Sequence, residues 1–177
     1  MPPNVEMVAR ALQAVPGVTR VRLVGSRAAG VSTPLSDWDF EIDVDDERVL
    51  ASLEERLRQI PALATFWDPL SSRANLILLL DGPVKIDVIA ADQPNPAPID
   101  RWEVSAGTLP GIDAHFWDWI LWLGAKHLRG DGELVRDELD KMHAALLEPL
   151  GATEPAGTVA EAVAAYLQRR DARAAEF

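Results

Sequence analysis

Residues 25–43 read GSRAAGVSTPLSDWDFEID. In the second half of this stretch Trp38, Phe40 and Ile42, continued by Val44, alternate with Asp37, Asp39, Glu41 and Asp43. A period of two marks a strand with one apolar and one acidic face. Residues 18–25 alternate as well, with Val21, Leu23 and Gly25 on one side and Arg20, Arg22 and Val24 on the other, which predicts an earlier strand. Gly25-Ser26 therefore stands where a strand ends and a helix begins. Ser32-Thr33-Pro34 reads as the loop before the acidic strand.

Outward from this stretch the pattern continues to alternate between helix and strand. Asn4 is placed to cap a helix whose apolar positions Val5, Val8, Ala9, Leu12 and Val15 recur at helical spacing, and Pro16-Gly17 stops it. Asp46 is the expected cap of a helix running to Ile60, before Pro61. Strands over 74–80 and 84–90 are joined by Asp81-Gly82-Pro83, a hairpin signal. Residues 91–98, ADQPNPAP, hold three prolines and read as a linker. Beyond it the periodicity is helical only: a helix over 112–129 closed by Gly130, a second over 133–148 stopped by Pro149, and a third opened by the capping box Thr158–Glu161. The prediction is an α/β (α+β) fold, with a small mixed β-sheet and flanking helices over 1–92, a Pro-rich linker over 93–111 and a C-terminal α-helical segment over 112–177.

Composition narrows the function classes. The 177 residues are 48% hydrophobic and 25% charged, ordinary for a globular chain. With no cysteine there is no disulfide scaffold, thiolate metal site or cysteine nucleophile. No apolar run approaches membrane-spanning length, the longest being 76–80, and MPPNVEMVAR is not a signal peptide, so the expectation is a cytoplasmic protein with no membrane partner. The net charge of −11 repels a phosphate backbone, which disfavours nucleic acid as a partner. Seven acids lie between Asp37 and Glu47 with no Lys or Arg among them, a concentration that calls for counter-ions.

Asp37 and Asp39 sit two apart on a strand and project to the same side. Two carboxylates that close do not both stay ionised without a cation, and oxygen-only ligands suit Mg²⁺. Asp87 interrupts the apolar run Lys85-Ile86-Asp87-Val88-Ile89, where an unpaired carboxylate is costly; it joins the pair if its strand lies beside theirs. The other reading of Asp87 is a simple ion pair with Lys85 or an arginine. Gly25 lets backbone approach a phosphate, the Ser26 hydroxyl can donate to one, and Arg27 adds positive charge. Phosphate donors facing a three-acid metal site form a nucleotidyl-transfer constellation.

Val24-Gly25-Ser26, the ten-residue gap, Asp37-Trp38-Asp39 and the later hydrophobic-Asp-hydrophobic strand resemble the DNA polymerase β-type nucleotidyltransferase superfamily. Within it the stretch is most similar to the small-molecule branch, the aminoglycoside nucleotidyltransferases, and to the minimal nucleotidyltransferases of toxin–antitoxin pairs. The resemblance spans about residues 18–90, and residues 115–130 (HFWDWILWLGAKHLRG) resemble the helix that closes over the nucleotide in the antibiotic-modifying members. It implies a nucleotidyltransferase fold and two Mg²⁺ ions held by Asp37 and Asp39, with Asp87 holding the second or taking the acceptor's proton. It also implies triphosphate contacts from Gly25, Ser26, Arg27 and Lys126. The implied reaction moves AMP from ATP to a hydroxyl of a small molecule such as an aminoglycoside-like antibiotic, releasing pyrophosphate. An antitoxin that adenylylates a partner toxin, and a member that binds nucleotide without catalysis, are the alternatives. The short segment after the linker raises the expectation of a homodimer whose second subunit completes the acceptor pocket.

His115, Trp119, Trp122 and Lys126 form one stripe at helical spacing, which either covers a nucleotide or packs as core with a snorkelling lysine. Asp118 reads first as a surface acid. Glu41 extends the acidic face without binding metal and helps attract a cationic acceptor. His115, His127 and His143 read as surface or helix-packing residues, since no spacing suggests zinc.

Overall fold

Both alternating segments become strands of one mixed sheet. The computed structural model describes residues 1–82 and 84–177; Pro83, the end of the expected hairpin turn, lies outside the described residues. The chain divides into two compact units, Met1–Pro98 and Ile99–Phe177. The first runs α1 (Pro3–Gln13), β1 (Val18–Val24), α2 (Gly25–Ala28), β2 (Trp38–Val44), α3 (Val49–Leu57), β3 (Ala64–Trp67), β4 (Arg73–Leu80) and β5 (Val84–Pro94). Strand order across the sheet is β1-β2-β5-β4-β3. Among the described residues the β2–β5 pairing is parallel, and β1–β2, β3–β4 and β4–β5 are antiparallel.

The period-two pattern explains why one face is covered. Phe40 and Ile42 of β2, Leu76 and Leu78 of β4, and Ile86 and Val88 of β5 pack against Val5, Val8 and Leu12 of α1 and Leu50, Leu53 and Leu57 of α3. Burying each such side chain stabilises the fold by about 1.5–3 kcal/mol. Asp39, Glu41, Lys85 and Asp87 occupy the alternate positions of β2 and β5, so they stand on the face opposite those helices.

Several boundaries differ from the expectation. Helix α1 starts one residue before Asn4, with Pro3 in its first turn, where a missing N–H costs nothing. Helix α3 is shorter than 46–60; Asp46 instead accepts from the Arg48 N–H in the turn before it. The proline-rich segment is not free linker at its start. Strand β5 runs through Pro94, and the Asn95 amide donates to the carbonyls of Asp68 and Ser71 at 2.8 and 2.7 Å.

The second unit holds α4 (Leu109–Arg129), α5 (Gly132–Met142) and α6 (Val159–Ala174). Gly130 closes α4 in the left-handed conformation, and Thr158 caps α6 by accepting from Glu161 N–H. The expected helix over 133–148 is α5 followed by one π turn, His143–Leu147, where the Ala145 carbonyl accepts from Trp102 N–H at 3.0 Å. Ile112, Phe116 and Leu123 of α4 meet Leu139 and Met142 of α5 and Tyr166 of α6 in this unit's core. Tyr166 stacks on Phe116 and donates its hydroxyl to Asp113, which also takes a two-pronged contact from Arg170 at 3.1 and 2.9 Å. Among the described residues no helix is long and apolar enough to cross a membrane.

Candidate functional site

The parallel pairing of β2 and β5 puts Asp39 in register with Asp87. Asp37 precedes β2 by one residue, and each of the three acids offers an oxygen within 4.8 Å of the others. Asp37 and Asp87 are 9% and 4% exposed. Buried acids this close repel each other strongly, because screening is weak away from bulk water.

The segment before β2 is built to present Asp37. Pro34 sits in a turn in which Ser36 N–H donates to the Thr33 carbonyl at 3.1 Å and the Ser36 hydroxyl accepts from Thr33 N–H at 2.8 Å. Arg27 locks that turn from outside. Its guanidinium donates to the carbonyls of Ser36 and Asp37, each at 3.0 Å from Nε, and lies 4.1 Å over the Trp38 ring. Burial lowers the Arg27 pKa, against the opposing pull of Asp37 and Asp39. At the end of β1, Gly25 adopts φ +68° against the Asp39 carboxylate and turns the chain into α2, whose second residue is half-buried Ser26.

Three residues that sequence reading did not assign to the site complete it. Lys85 is 7% exposed, with its ammonium 3.0 Å from Asp87 Oδ2 and 3.6 Å from Asp37 Oδ2. Asn75 of β4 donates its amide to Asp87 Oδ1 at 3.0 Å. Asp68, just after β3, has its carboxyl pushed above the usual range by burial, with the nearby Lys85 lowering it and Asp87 raising it. The only hint in the sequence is polarity inside apolar runs: Asn75 in RANLILLL and Lys85 two places before Asp87. The remaining acids of β2 find counter-ions on β1. Arg22 pairs with Glu41, and Arg20 meets Asp43 at 3.0 Å. Glu41 therefore carries a paired charge on this face.

The donor set is all oxygen and anionic, which suits a hard divalent cation, and three carboxylates within 4.8 Å could hold one. Compared with models of known protein families and with curated proteins, the chain matches none of them.

Of the residues expected at the site, Asp37, Asp39, Asp87, Gly25, Ser26 and Arg27 all lie in the first unit. Lys126 lies on α4 of the second. There the expected stripe is present: the His115 ring lies 5.4 Å from that of Trp119 and 6.2 Å from that of Trp102, and the Lys126 ammonium sits 4.6 Å over the Trp122 ring. The Trp119 indole donates to Glu138 of α5 at 3.1 Å. Asp118 is not the surface acid expected; it is 5% exposed, on the same side of α4 as His115 and Trp122.

Proposed function

We propose that the protein is a Mg²⁺-dependent nucleotidyltransferase that moves AMP from ATP to a hydroxyl of a small-molecule acceptor, an aminoglycoside-like antibiotic or a similar compound. The observation that carries this reading is the convergence of Asp37, Asp39 and Asp87 within 4.8 Å, next to the Gly25-Ser26 turn. Bound at Asp37, Asp39 and Asp87, Mg²⁺ would supply Lewis-acid polarisation of phosphoryl oxygen and charge neutralisation. The acceptor oxygen attacks the α-phosphorus of ATP, the bond to the bridging oxygen breaks, and pyrophosphate leaves. The role of Asp87 is one of two, a share in holding the ion or removal of the acceptor hydroxyl's proton. Gly25 and Ser26 lie along the triphosphate, and Arg27 holds Asp37 in place and adds positive charge nearby. ATP and Mg²⁺ are abundant in the cytoplasm, the compartment that suits this chemistry.

The ion pairs of Lys85 with Asp37 and Asp87 favour one rival, a nucleotide-binding member without catalysis, because they neutralise the acids internally. One experiment separates the two. The chain is incubated with ATP and Mg²⁺ and a panel of aminoglycosides, lincosamides and co-purifying proteins, and products are read by mass spectrometry. An acceptor heavier by AMP, together with pyrophosphate, supports transfer; an adenylylated protein in place of a small molecule moves the acceptor class to the antitoxin type. A thermal-shift matrix runs alongside. Mg²⁺ with ATP stabilises the protein more than either alone, whereas equal shifts by ATP in excess EDTA would detach the nucleotide from the metal.

A further inference from the structure

We infer that Lys85 is a built-in cation of this site, so that the three carboxylates take one divalent ion rather than two. The inference rests on the metal-site reading above and specifies its stoichiometry. Lys85 and Asp87 are two apart on β5, so both side chains leave the strand on the same side. The register partner of Lys85 on β4 is Leu79, which gives its stem an apolar neighbour while the ammonium reaches the acids. Lys85 and the carboxylates of Asp37 and Asp87 are each at least nine-tenths buried, at side-chain exposures of 8%, 10% and 6%.

Both oxygens of Asp87 already have donors: Oδ1 takes the Asn75 amide and Oδ2 the Lys85 ammonium, each at 3.0 Å. A metal ion sharing Oδ2 would face the ammonium across one atom, in surroundings where like charges are poorly screened. Asp37 is engaged by Lys85 through Oδ2 at 3.6 Å, a looser contact. Asp39 faces Gly25 across the cluster. Lys85 thus stands for one member of the expected pair of ions, held by the chain instead of drawn from solution.

The test counts Mn²⁺ bound per chain by equilibrium dialysis with an excess of a non-hydrolysable ATP analogue, using wild type, Lys85→Met and Lys85→Arg. The expected result is one Mn²⁺ for wild type and Lys85→Arg, and two for Lys85→Met. Two ions on the wild type, or one on a folded Lys85→Met, overturn the inference and leave the nucleotidyltransferase reading standing. No bound Mn²⁺ on any of the three removes both. If Lys85→Met does not fold, as judged by circular dichroism, the wild-type and Lys85→Arg counts decide alone.

Discussion

Asp39 rests its carboxylate in the space that a side chain on Gly25 would fill: a Cβ there would stand 2.1 Å from Asp39 Oδ2. Gly25 is also left-handed, at φ +68°. Turn and acid are therefore packed together, and a side chain at Gly25 would displace the Asp39 carboxylate.

Gly25→Ala is expected to lose about 1–2 kcal/mol to backbone strain and to push Asp39 out of line with Asp37 and Asp87. Gly30 provides the control, since at φ +73° a Cβ there meets nothing within 4 Å. Gly30→Ala should show the strain alone. Urea unfolding measures the first effect and Mn²⁺ titration the second. Gly25→Ala should weaken Mn²⁺ on the order of tenfold or more while Gly30→Ala leaves it unchanged.

Asp39→Asn keeps the shape of the side chain and removes one charge from the cluster. Transfer should fall on the order of a hundredfold or more, since the bound metal contributes several kcal/mol to the transition state. The melting temperature without metal should hold or rise, because one source of repulsion among buried acids is gone. Wild-type turnover in this variant would end the metal assignment.

In the second unit Asp113 is a carboxyl whose partners link stability to acid pH. Burial works to raise its pKa, but the hydrogen bonds from Arg170 and Tyr166 outweigh it and hold the carboxyl below its ordinary 3.8. A depressed pKa gives stability that is fully present above 3.8 and is lost as pH falls through the lower, folded value. Asp113→Asn should destabilise the protein at neutral pH by about 2 kcal/mol. It should also flatten the fall of melting temperature below pH 3.8. Melts of the two proteins across acid pH test this; parallel curves would assign the acid sensitivity to other carboxylates.

Lys126→Ala separates two roles of one side chain. The ammonium over Trp122 contributes about 0.5–1 kcal/mol of cation–π energy at a part-exposed site, so a small loss of stability is expected. The nucleotidyltransferase reading adds a several-fold weaker ATP affinity. An ATP dissociation constant equal to that of wild type would confine the nucleotide site to the first unit.

The strands that carry Asp39 and Asp87 were legible because alternation gives both the element and the face; Asp37 falls one residue before the strand it was expected on. Thr158 and Gly130 were legible because caps are local chemistry. Strand β3 escaped because it is four residues, Ala64–Trp67, with Pro61 and Pro69 close by and no alternation long enough to read. The Lys85–Asp87 ion pair was open in the sequence as the other reading of Asp87, whereas the partnership of Asp87 with Asn75 escaped for another reason. It depends on the register of β4 against β5, a tertiary quantity to which turn residues give only partial access. The π turn at His143–Leu147 carries a bond from Trp102, about forty residues earlier, and no local pattern announces either the turn or that bond.

The β2–β5 neighbours are separated along the chain by α3, β3 and β4. During synthesis, then, a nascent chain carries Asp37 and Asp39 long before it carries Lys85 and Asp87. Until β5 slots between β2 and β4, the two early acids have neither their internal ammonium nor their third carboxylate. Contacts spanning this much chain form late and slowly. The three-acid site and its internal ammonium are thus assembled only when the central strand is inserted, and until then Asp37 and Asp39 depend on solvent cations for neutralisation.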